Sequence, residues 1–172
     1  QPSGTRPRPA AGGGLVTAMI LNDDCRLRRQ RASHERGLRG KAQAVDVDDV
    51  GRVINPMICH GQIEGALAQG IGQALMEHVA FDRETGQLLS ASFMDYAMPR
   101  AADLPPHYEL DFIDVPAKTN PVGVKGVGEA GCVGAPPAVM NAVLDALRPL
   151  GVQHLDMPAT PHRVWQAIQA AK

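Results

Sequence analysis

A helix with two unlike sides is the feature that most constrains how this 172-residue chain can fold. Residues 61–79 (GQIEGALAQGIGQALMEHV) place an apolar side chain at every fourth position: Ile63, Leu67, Ile71, Leu75 and Val79. This spacing predicts one buried helix face. The opposite stripe contains Gly65, Ala68 and Gly72. Because a glycine inside a helix costs about 1 kcal/mol relative to alanine, the stripe predicts that another segment packs very closely there.

The rest of the chain after residue 44 predicts short strands and two further helices. Alternating or turn-bounded segments predict strands or hairpin arms at residues 45–47, 81–89, 108–112 and 154–157. Pro136 and Pro137 are expected to open the second helix, and Thr160 is expected to cap the last one. The order of these elements predicts an α+β fold, with mixed sheet segments and about three helices, rather than regular βαβ winding.

Charge divides the chain into two unlike parts. Residues 1–45 carry nine Lys/Arg and three Asp/Glu, whereas residues 46–172 carry eight Lys/Arg and fifteen Asp/Glu. We therefore predict a basic, Gly/Pro/Arg-rich arm over residues 1–43, irregular and poorly ordered, followed by a folded domain over residues 44–172. Only residues 15–21 of the arm are apolar enough for a short buried element. Such an arm either binds polyanions or is simply solvated.

Composition excludes several classes of function. A net charge of −1 excludes a strongly basic nucleic-acid binder, and the absence of about 18 consecutive apolar residues predicts no membrane span. The three cysteines lack CxxC spacing and the six histidines are scattered, which excludes a disulfide framework and argues against a zinc site. Sparse cysteines and the lack of an apolar leader predict a cytoplasmic location.

The segment that carries chemistry is the glycine-rich stretch TNPVGVKGVGEAG at residues 119–131. Its glycines expose backbone N–H groups and allow an anionic or planar ligand to approach. Glu129 is its only acid, and a carboxylate among small apolar residues can serve as a base. Lys125 could neutralise a ligand's negative charge, tune the acid, or simply pair with a surface acid such as Asp114.

Two other interpretations of this stretch stay open at the level of residues. Gly126, Gly128 and Gly131 formally spell the dinucleotide fingerprint GxGxxG, but a lone match is weak and an acid inside the loop would repel pyrophosphate. Too little chain follows Gly131 for the remainder of a dinucleotide fold. Alternatively, the glycines serve turns and Glu129 is a surface residue.

Six segments together resemble a known family. They are GRVINP (51–56), GQIEGALAQGIGQALME (61–77), SFMDYAMPRAADLPP (92–106), TNPVGVKGVGEAG (119–131), GAPPAVMNAV (134–143) and HLDMPATPHRVW (154–165). In order and spacing they resemble the C-terminal part of the molybdenum-binding large subunit of the xanthine dehydrogenase / aldehyde oxidoreductase / carbon monoxide dehydrogenase family, the molybdenum hydroxylases. The resemblance covers roughly residues 44–172 and does not extend to residues 1–43.

The resemblance implies roles for particular residues. Glu129 takes the position of the active-site base, and Gln62 lies beside the cofactor. Lys125 and the backbone of Gly126, Val127 and Gly128 line the pterin. For Gln62, the alternative is an exposed residue in the first turn of its helix. Cys132 is expected to be a small buried residue rather than a metal ligand, because in this family the pterin's own dithiolene holds the metal.

The resemblance also implies cofactors and partners. The reaction would be hydroxylation of an aldehyde, an N-heterocycle or CO with oxygen from water. It would use molybdopterin, in a dinucleotide form, shared with the remainder of the large subunit. FAD would lie on a medium subunit and 2Fe-2S clusters on a small one. The chain would be a fragment or split subunit, inactive alone; a non-catalytic α+β interaction domain or an inactive remnant is the alternative.

Overall fold

The computed structural model describes residues 43–172. The elements are β1 (Gln43–Asp49), α1 (Pro56–Leu75), β2 (His107–Ile113), α2 (Ala130–Leu147) and α3 (Pro161–Ala170), with 3₁₀ turns at Ala101–Asp103 and Arg148–Leu150. The predicted α+β class with three helices is confirmed for this part of the chain. The predictions for the arm up to residue 42, including the apolar residues 15–21, lie outside the described residues.

The two strands pair in parallel, with Gln43 opposite His107 and Asp49 opposite Ile113. Helix α1 lies in the connection between them, so the described residues contain one βαβ unit and a parallel rather than mixed sheet. The sequence analysis did not predict this single unit, although the α+β class without regular βαβ winding is confirmed. Residues 76–106 separate α1 from β2, and this long excursion hides the alternation of elements in the sequence.

Helix α1 begins earlier and ends earlier than its apolar spacing predicts. The Asn55 side-chain oxygen accepts a hydrogen bond from the Ile58 N–H at 3.2 Å, and Pro56 occupies the first helical position. Both features favour a helix start, because the first turn lacks internal acceptors for its N–H groups. Ile63, Leu67 and Ile71 are buried as predicted, whereas Val79 lies beyond the helix and is exposed.

The predicted close approach is confirmed at Gly72, where a Cβ atom would lie 2.8 Å from the Pro99 Cδ, while the contact of α1 with α2 is formed at two other glycines. A Cβ atom at Gly70 would lie 2.6 Å from the Ala135 Cβ and 2.9 Å from the Pro136 Cδ. A Cβ at Gly131 would lie 2.9 Å from the Ile63 carbonyl oxygen. Gly65 instead faces open space. The backbones of the two helices therefore approach each other at Gly70 and Gly131.

Helix α2 begins at Ala130, so Pro136 and Pro137 lie inside it rather than opening it. The segment before the prolines becomes helical because its small residues Ala130, Gly131 and Ala135 are buried, against the Ile63–Leu67 part of α1. The helix ends at Leu147, and Gly151 follows with φ 91°, close to the predicted end.

One helical span, residues 130–150, is long and apolar enough to cross a membrane by length and composition alone. Core helices of globular proteins pass the same test. The contacts of α2 are those of a core helix, because Val139 and Met140 form a buried cluster with Ile71 and Ala74 of α1.

The C-terminal segment and the hairpin complete the described part. Residues 154–157 form no strand; the loop is tied down instead by a hydrogen bond from the Ala159 N–H to the Ala74 carbonyl, at 2.7 Å. Thr160 caps α3 as predicted, since its side chain accepts from the Arg163 N–H. The predicted hairpin is confirmed as a single antiparallel bridge between Phe81 and Leu88, with Gly86 at φ 70°.

We expect two Gly→Ala substitutions in α1 to have opposite effects on stability. Gly65→Ala should stabilise the chain by about 0.5–1 kcal/mol, because it only adds helix propensity in open space. Gly70→Ala should destabilise it by about 1–3 kcal/mol, because the new methyl group overlaps Ala135 and Pro136. Urea unfolding of the full chain measures both. Equal shifts of the same sign would contradict the close helix contact.

Candidate functional site

A tight turn held by Asn120 forms the first half of the glycine-rich stretch. The Asn120 Oδ1 accepts hydrogen bonds from the Gly123 N–H at 2.7 Å and the Val124 N–H at 3.2 Å, while its Nδ2 donates to the Val124 carbonyl at 3.0 Å. Gly123 has φ 78°, a left-handed conformation that glycine adopts without steric cost. The sequence NPVGV therefore closes into a fixed turn.

This turn is docked onto the end of β1. Gly51 and Val124 form an antiparallel bridge, the Lys125 N–H donates to the Val50 carbonyl at 3.1 Å, and the Arg52 N–H donates to the Gly123 carbonyl at 3.0 Å. Gly51 has φ 63°, and a Cβ atom there would lie 2.5 Å from the Gly123 carbonyl oxygen. The end of β1 thus fixes the position of the loop that follows Val124.

The Lys125 side chain forms an ion pair with Asp49, at the end of β1, with Nζ and Oδ2 2.5 Å apart. The partner acid is therefore Asp49 and not Asp114. Asp49 also accepts a hydrogen bond from the Gly51 N–H at 3.1 Å. Burial by itself would raise the pKa of Asp49, but the hydrogen bonds from Lys125 and Gly51 and the ammonium charge hold it below its ordinary value.

The residues after Lys125 form an open stretch of backbone. A Cβ atom at Gly126 or Gly128 would have no neighbour within 4 Å, and both glycines are exposed. Neither glycine makes a hydrogen bond within the described part of the chain. Between them, Val127 packs against the buried cluster of Ile63 and Leu67. The stretch is thus anchored at Val127, and the backbone on either side is accessible to a ligand.

Glu129 lies at the N-cap position of α2 and is exposed. Its side chain makes no capping hydrogen bond. Cys132, one turn further on, is only half-buried rather than fully buried as expected. Burial, followed by the carboxylates of Glu129 and Glu77, raises the pKa of the Cys132 thiol. The thiol is therefore protonated at neutral pH beside the Glu129 carboxylate.

Gln62 lies in the second turn of α1, not the first, and is exposed. Its side-chain amide makes no hydrogen bond within the described residues and is available to a ligand. The carbonyl of the next residue, Ile63, faces Gly131, which follows Glu129 by two positions. Because α2 packs on α1 at this point, Gln62 lies on the helix that contacts the start of α2, where Glu129 is the N-cap.

The sequence analysis missed a buried acid on β1. Asp46 is 1% exposed, and neither carboxylate oxygen has a hydrogen-bond partner among the described residues. Burial, together with the charge of Asp48, raises its pKa to about 6. The sequence contained a signal for this buried acid. Ala44, Asp46 and Asp48 alternate along β1, so they share one strand face, and all three are buried.

Asp46 lines a groove of about 510 Å³ between β2 and the first half of α1, which Tyr108 also lines. The Tyr108 hydroxyl is buried and has no hydrogen-bond partner in the described part. No group of three or more His, Cys, Asp or Glu among residues 43–172 could hold a metal ion. The Asp46 Oδ2 lies 3.4 Å from the position that a Cβ atom at Gly131 would take, so this buried acid adjoins the end of the glycine-rich stretch.

Comparisons with known proteins show which proteins this chain is similar to. Residues 41–105 match the molybdopterin cofactor-binding domain. The chain is similar to the nicotine 6-hydroxylase large subunit of Paenarthrobacter nicotinovorans, at 46% identity over 123 residues. It is also similar to the carbon monoxide dehydrogenase large chain of Hydrogenophaga pseudoflava, at 44% identity over 123 residues. Each alignment covers 72% of this chain and 15% of the relative.

A solved structure gives the same result. Quinoline 2-oxidoreductase from Pseudomonas putida 86 matches with a TM-score of 0.70 and 42% identity, over 76% of this chain and 16% of that chain. The chain thus spans about one sixth of the length of the proteins it matches. The similarity in sequence and the similarity in fold therefore point to the same group of proteins.

We expect the Lys125–Asp49 pair to contribute to stability in a pH-dependent way. Lys125→Met should destabilise the chain by about 1–3 kcal/mol at pH 7, because it leaves Asp49 buried without its cation. Since the folded pKa of Asp49 is lowered, its stabilisation is present above the unfolded pKa and is lost as the pH falls through the folded pKa. Urea midpoints between pH 2 and 7 measure this loss.

The exposed pair of Arg100 and Asp103 is the matched control, because solvent screens it. Arg100→Gln should change the urea midpoint little at any pH. If Lys125→Met behaves like Arg100→Gln, the ion pair does not hold the loop.

Proposed function

This chain belongs to the molybdenum hydroxylase large-subunit family, and we propose that it supplies one wall of the molybdopterin site together with the active-site base, Glu129. The observation that carries the proposal is the exposed Glu129 carboxylate at the N-cap of α2, directly after the open backbone of residues 126–128. The Asn120 turn and the Lys125–Asp49 pair fix the position of the residues at which this stretch begins.

The residues present fit a pterin cofactor. The N–H groups of Gly126 and Gly128 have no acceptor within the described residues, and the Cβ positions of both glycines face open space. Such groups suit the acceptor atoms of a pterin ring or of a phosphate, and the start of a helix favours negative charge nearby. The Gln62 amide can both donate to and accept from the edge of a ring. We assign Gln62 and the backbone of residues 126–128 to cofactor binding.

Glu129 has the chemistry that a proton acceptor needs. The bound molybdenum cofactor would supply the redox chemistry and the activation of water. The task left to the chain is to accept one proton, and a single carboxylate oxygen, Oε1 or Oε2 of Glu129, is sufficient for it. Its position at the N-cap of α2 leaves this carboxylate exposed, directly after the backbone of residues 126–128.

Lys125 acts through position rather than through charge. Its ammonium group is paired with Asp49, so it offers little net charge to a ligand. Its contribution is to hold the backbone of Gly126 at the end of β1. The wall of the site is therefore polar and close to neutral, apart from Glu129.

We propose the remainder of the assembly from the family resemblance. The cofactor would be shared with the rest of a large subunit and carry a dinucleotide tail, with FAD on a medium subunit and 2Fe-2S clusters on a small subunit. The substrate would be a small molecule. Nicotine 6-hydroxylase and quinoline 2-oxidoreductase are named for N-heterocycles, which favours this class over aldehydes, with CO as the alternative. The cytoplasmic location stays a prediction.

A second candidate function is a non-catalytic interaction domain, favoured by one observation. Phe93 and Met94, in the excursion between α1 and β2, are 86% and 93% exposed, and the nearby Phe81, Leu89 and Met98 are exposed as well. Large exposed apolar side chains of this kind are typical of a surface that docks on another polypeptide. In this alternative the chain binds its partner but Glu129 accepts no proton.

The test is Glu129→Gln in the full chain, co-expressed with the missing part of a related large subunit and its partner subunits. We expect turnover to fall by about 10²–10⁴-fold, because the amide cannot accept the proton, while the molybdenum content is unchanged. Glu84→Gln, an exposed acid in the hairpin, is the control and should leave turnover intact. A molybdenum-loaded Glu129→Gln complex with full activity contradicts the assignment; an assembled complex without molybdenum favours the interaction domain.

A further inference from the structure

We propose that Asp46 is a positioning residue for Glu129, and that it keeps the start of α2 closed against α1 and β1 only while its own carboxyl group keeps a proton. The closing of α2 is a property of the described fold and does not depend on the role of Glu129. The effect on turnover rests on the proposed function, because it assumes that Glu129 is the active-site base.

Asp46 is enclosed at the place where β1, α1 and α2 meet. Its side chain is 1% exposed, and its Oδ2 lies 3.4 Å from the position that a Cβ atom at Gly131 would take. The Ile63 carbonyl oxygen of α1 lies 2.9 Å from the same position. Gly131 is in the first turn of α2 and follows Glu129, the N-cap residue, by two positions. The Asp46 carboxyl group therefore lies against the turn of backbone that sets the position of Glu129.

The Asp46 carboxyl group is better accommodated neutral than charged. Neither of its oxygens has a hydrogen-bond partner in the described part of the chain. A buried carboxylate without a donor is strongly destabilising, and such a group tends to keep its proton instead. Burial and the charge of Asp48 outweigh the effect of the Val47 N–H and raise the pKa of Asp46 to about 6. Its proton is thus bound about a hundredfold more tightly than that of an ordinary aspartic acid.

The surrounding charges do not offset this preference. Asp48 lies on the same face of β1 and is buried as well, whereas Asp49 lies on the opposite face, where Lys125 neutralises it. The titratable side chains on the other packed elements are His60 and Glu64 of α1, Tyr108, Glu109 and Asp111 of β2, and Glu129 and Cys132 of α2. His60 is the one basic group of this set. The start of α2 favours a nearby negative charge, but typically by only about two- to fivefold. The neutral form of Asp46 is therefore the form that suits the closed junction.

Ionisation of Asp46 favours opening of this junction. A carboxylate needs hydrogen-bond donors, and water supplies them once the turn at Gly131 moves away from β1. Because the folded pKa of Asp46 is raised, its contribution to the closed form is fully present below its unfolded pKa and is lost as the pH rises through about 6. Above this pH, the turn that follows Glu129 is held less firmly against α1 and β1.

The first experiment is amide hydrogen exchange of the full chain at pH 5 and pH 8, expressed as protection factors, which remove the intrinsic pH dependence of exchange. In the wild-type chain, we expect the protection of residues 130–135 to fall by about tenfold, because the open form loses the Asp46 proton more readily than the closed form. The protection of residues 140–147, in the second half of α2, should change much less.

Two variants make this result specific. Asp46→Asn carries an uncharged amide of the same size, and its protection over residues 130–135 should be equal at the two pH values. Asp111→Asn removes an exposed acid from the neighbouring strand and is the matched control, so it should show the wild-type fall. The wild-type comparison needs no substitution, and it decides the question even if Asp46→Asn is unstable.

The second experiment measures kcat from pH 5 to pH 8 in the complex with the missing part of a related large subunit and its partner subunits. The ratio of kcat in Asp46→Asn to kcat in the wild type should rise by about two- to tenfold over this range, with KM and molybdenum content unchanged. If Glu129→Gln keeps full activity, the proposed function fails, whereas the exchange result is unaffected. If Glu129→Gln loses turnover and the kcat ratio is constant, the positioning role of Asp46 fails alone.

Three results of the exchange experiment overturn the proposal. One is a wild-type protection of residues 130–135 that is the same at pH 5 and pH 8. Another is an equal change over residues 130–135 and 140–147, since Asp46 would then affect the stability of the whole fold and not the start of α2. The third is a fall that persists in Asp46→Asn, because the titrating group would then be a different one.

Discussion

The contact between the backbones of α1 and α2 determines where everything else in the described part of the chain lies. Gly131 meets the Ile63 carbonyl, and Gly70 meets Ala135 and Pro136, at separations that a side chain at either glycine would prevent. The start of α2 is therefore pressed against the first half of α1. Since Glu129 precedes Gly131 by two residues, this contact also sets the position of the acid relative to Gln62.

The position of the glycine-rich stretch depends on a second set of contacts, which are hydrogen bonds and one ion pair. Asn120 closes the turn through three hydrogen bonds, and Asp49 holds both Gly51 and Lys125 at the end of β1. Beyond Lys125, within residues 43–172, Val127 anchors the stretch through its contact with the core. Rigid anchors on both sides of an open backbone are what a preorganised ligand site needs, because the loop loses little entropy on binding.

The sequence predicted the elements better than their ends. The spacing of Ile63, Leu67 and Ile71 marked the buried face of α1, and the alternation around Leu110 marked β2, because both signals repeat over several residues. Pro136 was misjudged as a helix start, since the tertiary contact that extends α2 toward Ala130 has no local signal. Residues 154–157 alternate like a strand but find no neighbouring strand to pair with in the described fold.

The sequence predicted only those residues of the candidate site that are neighbours along the chain. The acid and the glycines are contiguous, so Glu129 and residues 126–128 could be named from the sequence. The pairing of Lys125 with Asp49 joins residues that are 76 positions apart in the sequence. The burial of the Asp46 side chain depends on the pairing of β1 with β2. Neither follows from neighbouring residues alone.

The two prolines inside α2 have a consequence for the acid that precedes the helix. Proline has no N–H to donate, so the carbonyls of Cys132 and Val133 lack their regular donors four residues on. The opening turn of α2 is thus joined to the remainder of the helix by few bonds of its own and is kept in place mainly by its neighbour α1. The orientation of Glu129 is consequently a property of the interface between two helices, and a change in α1 far along the chain can redirect it without touching it.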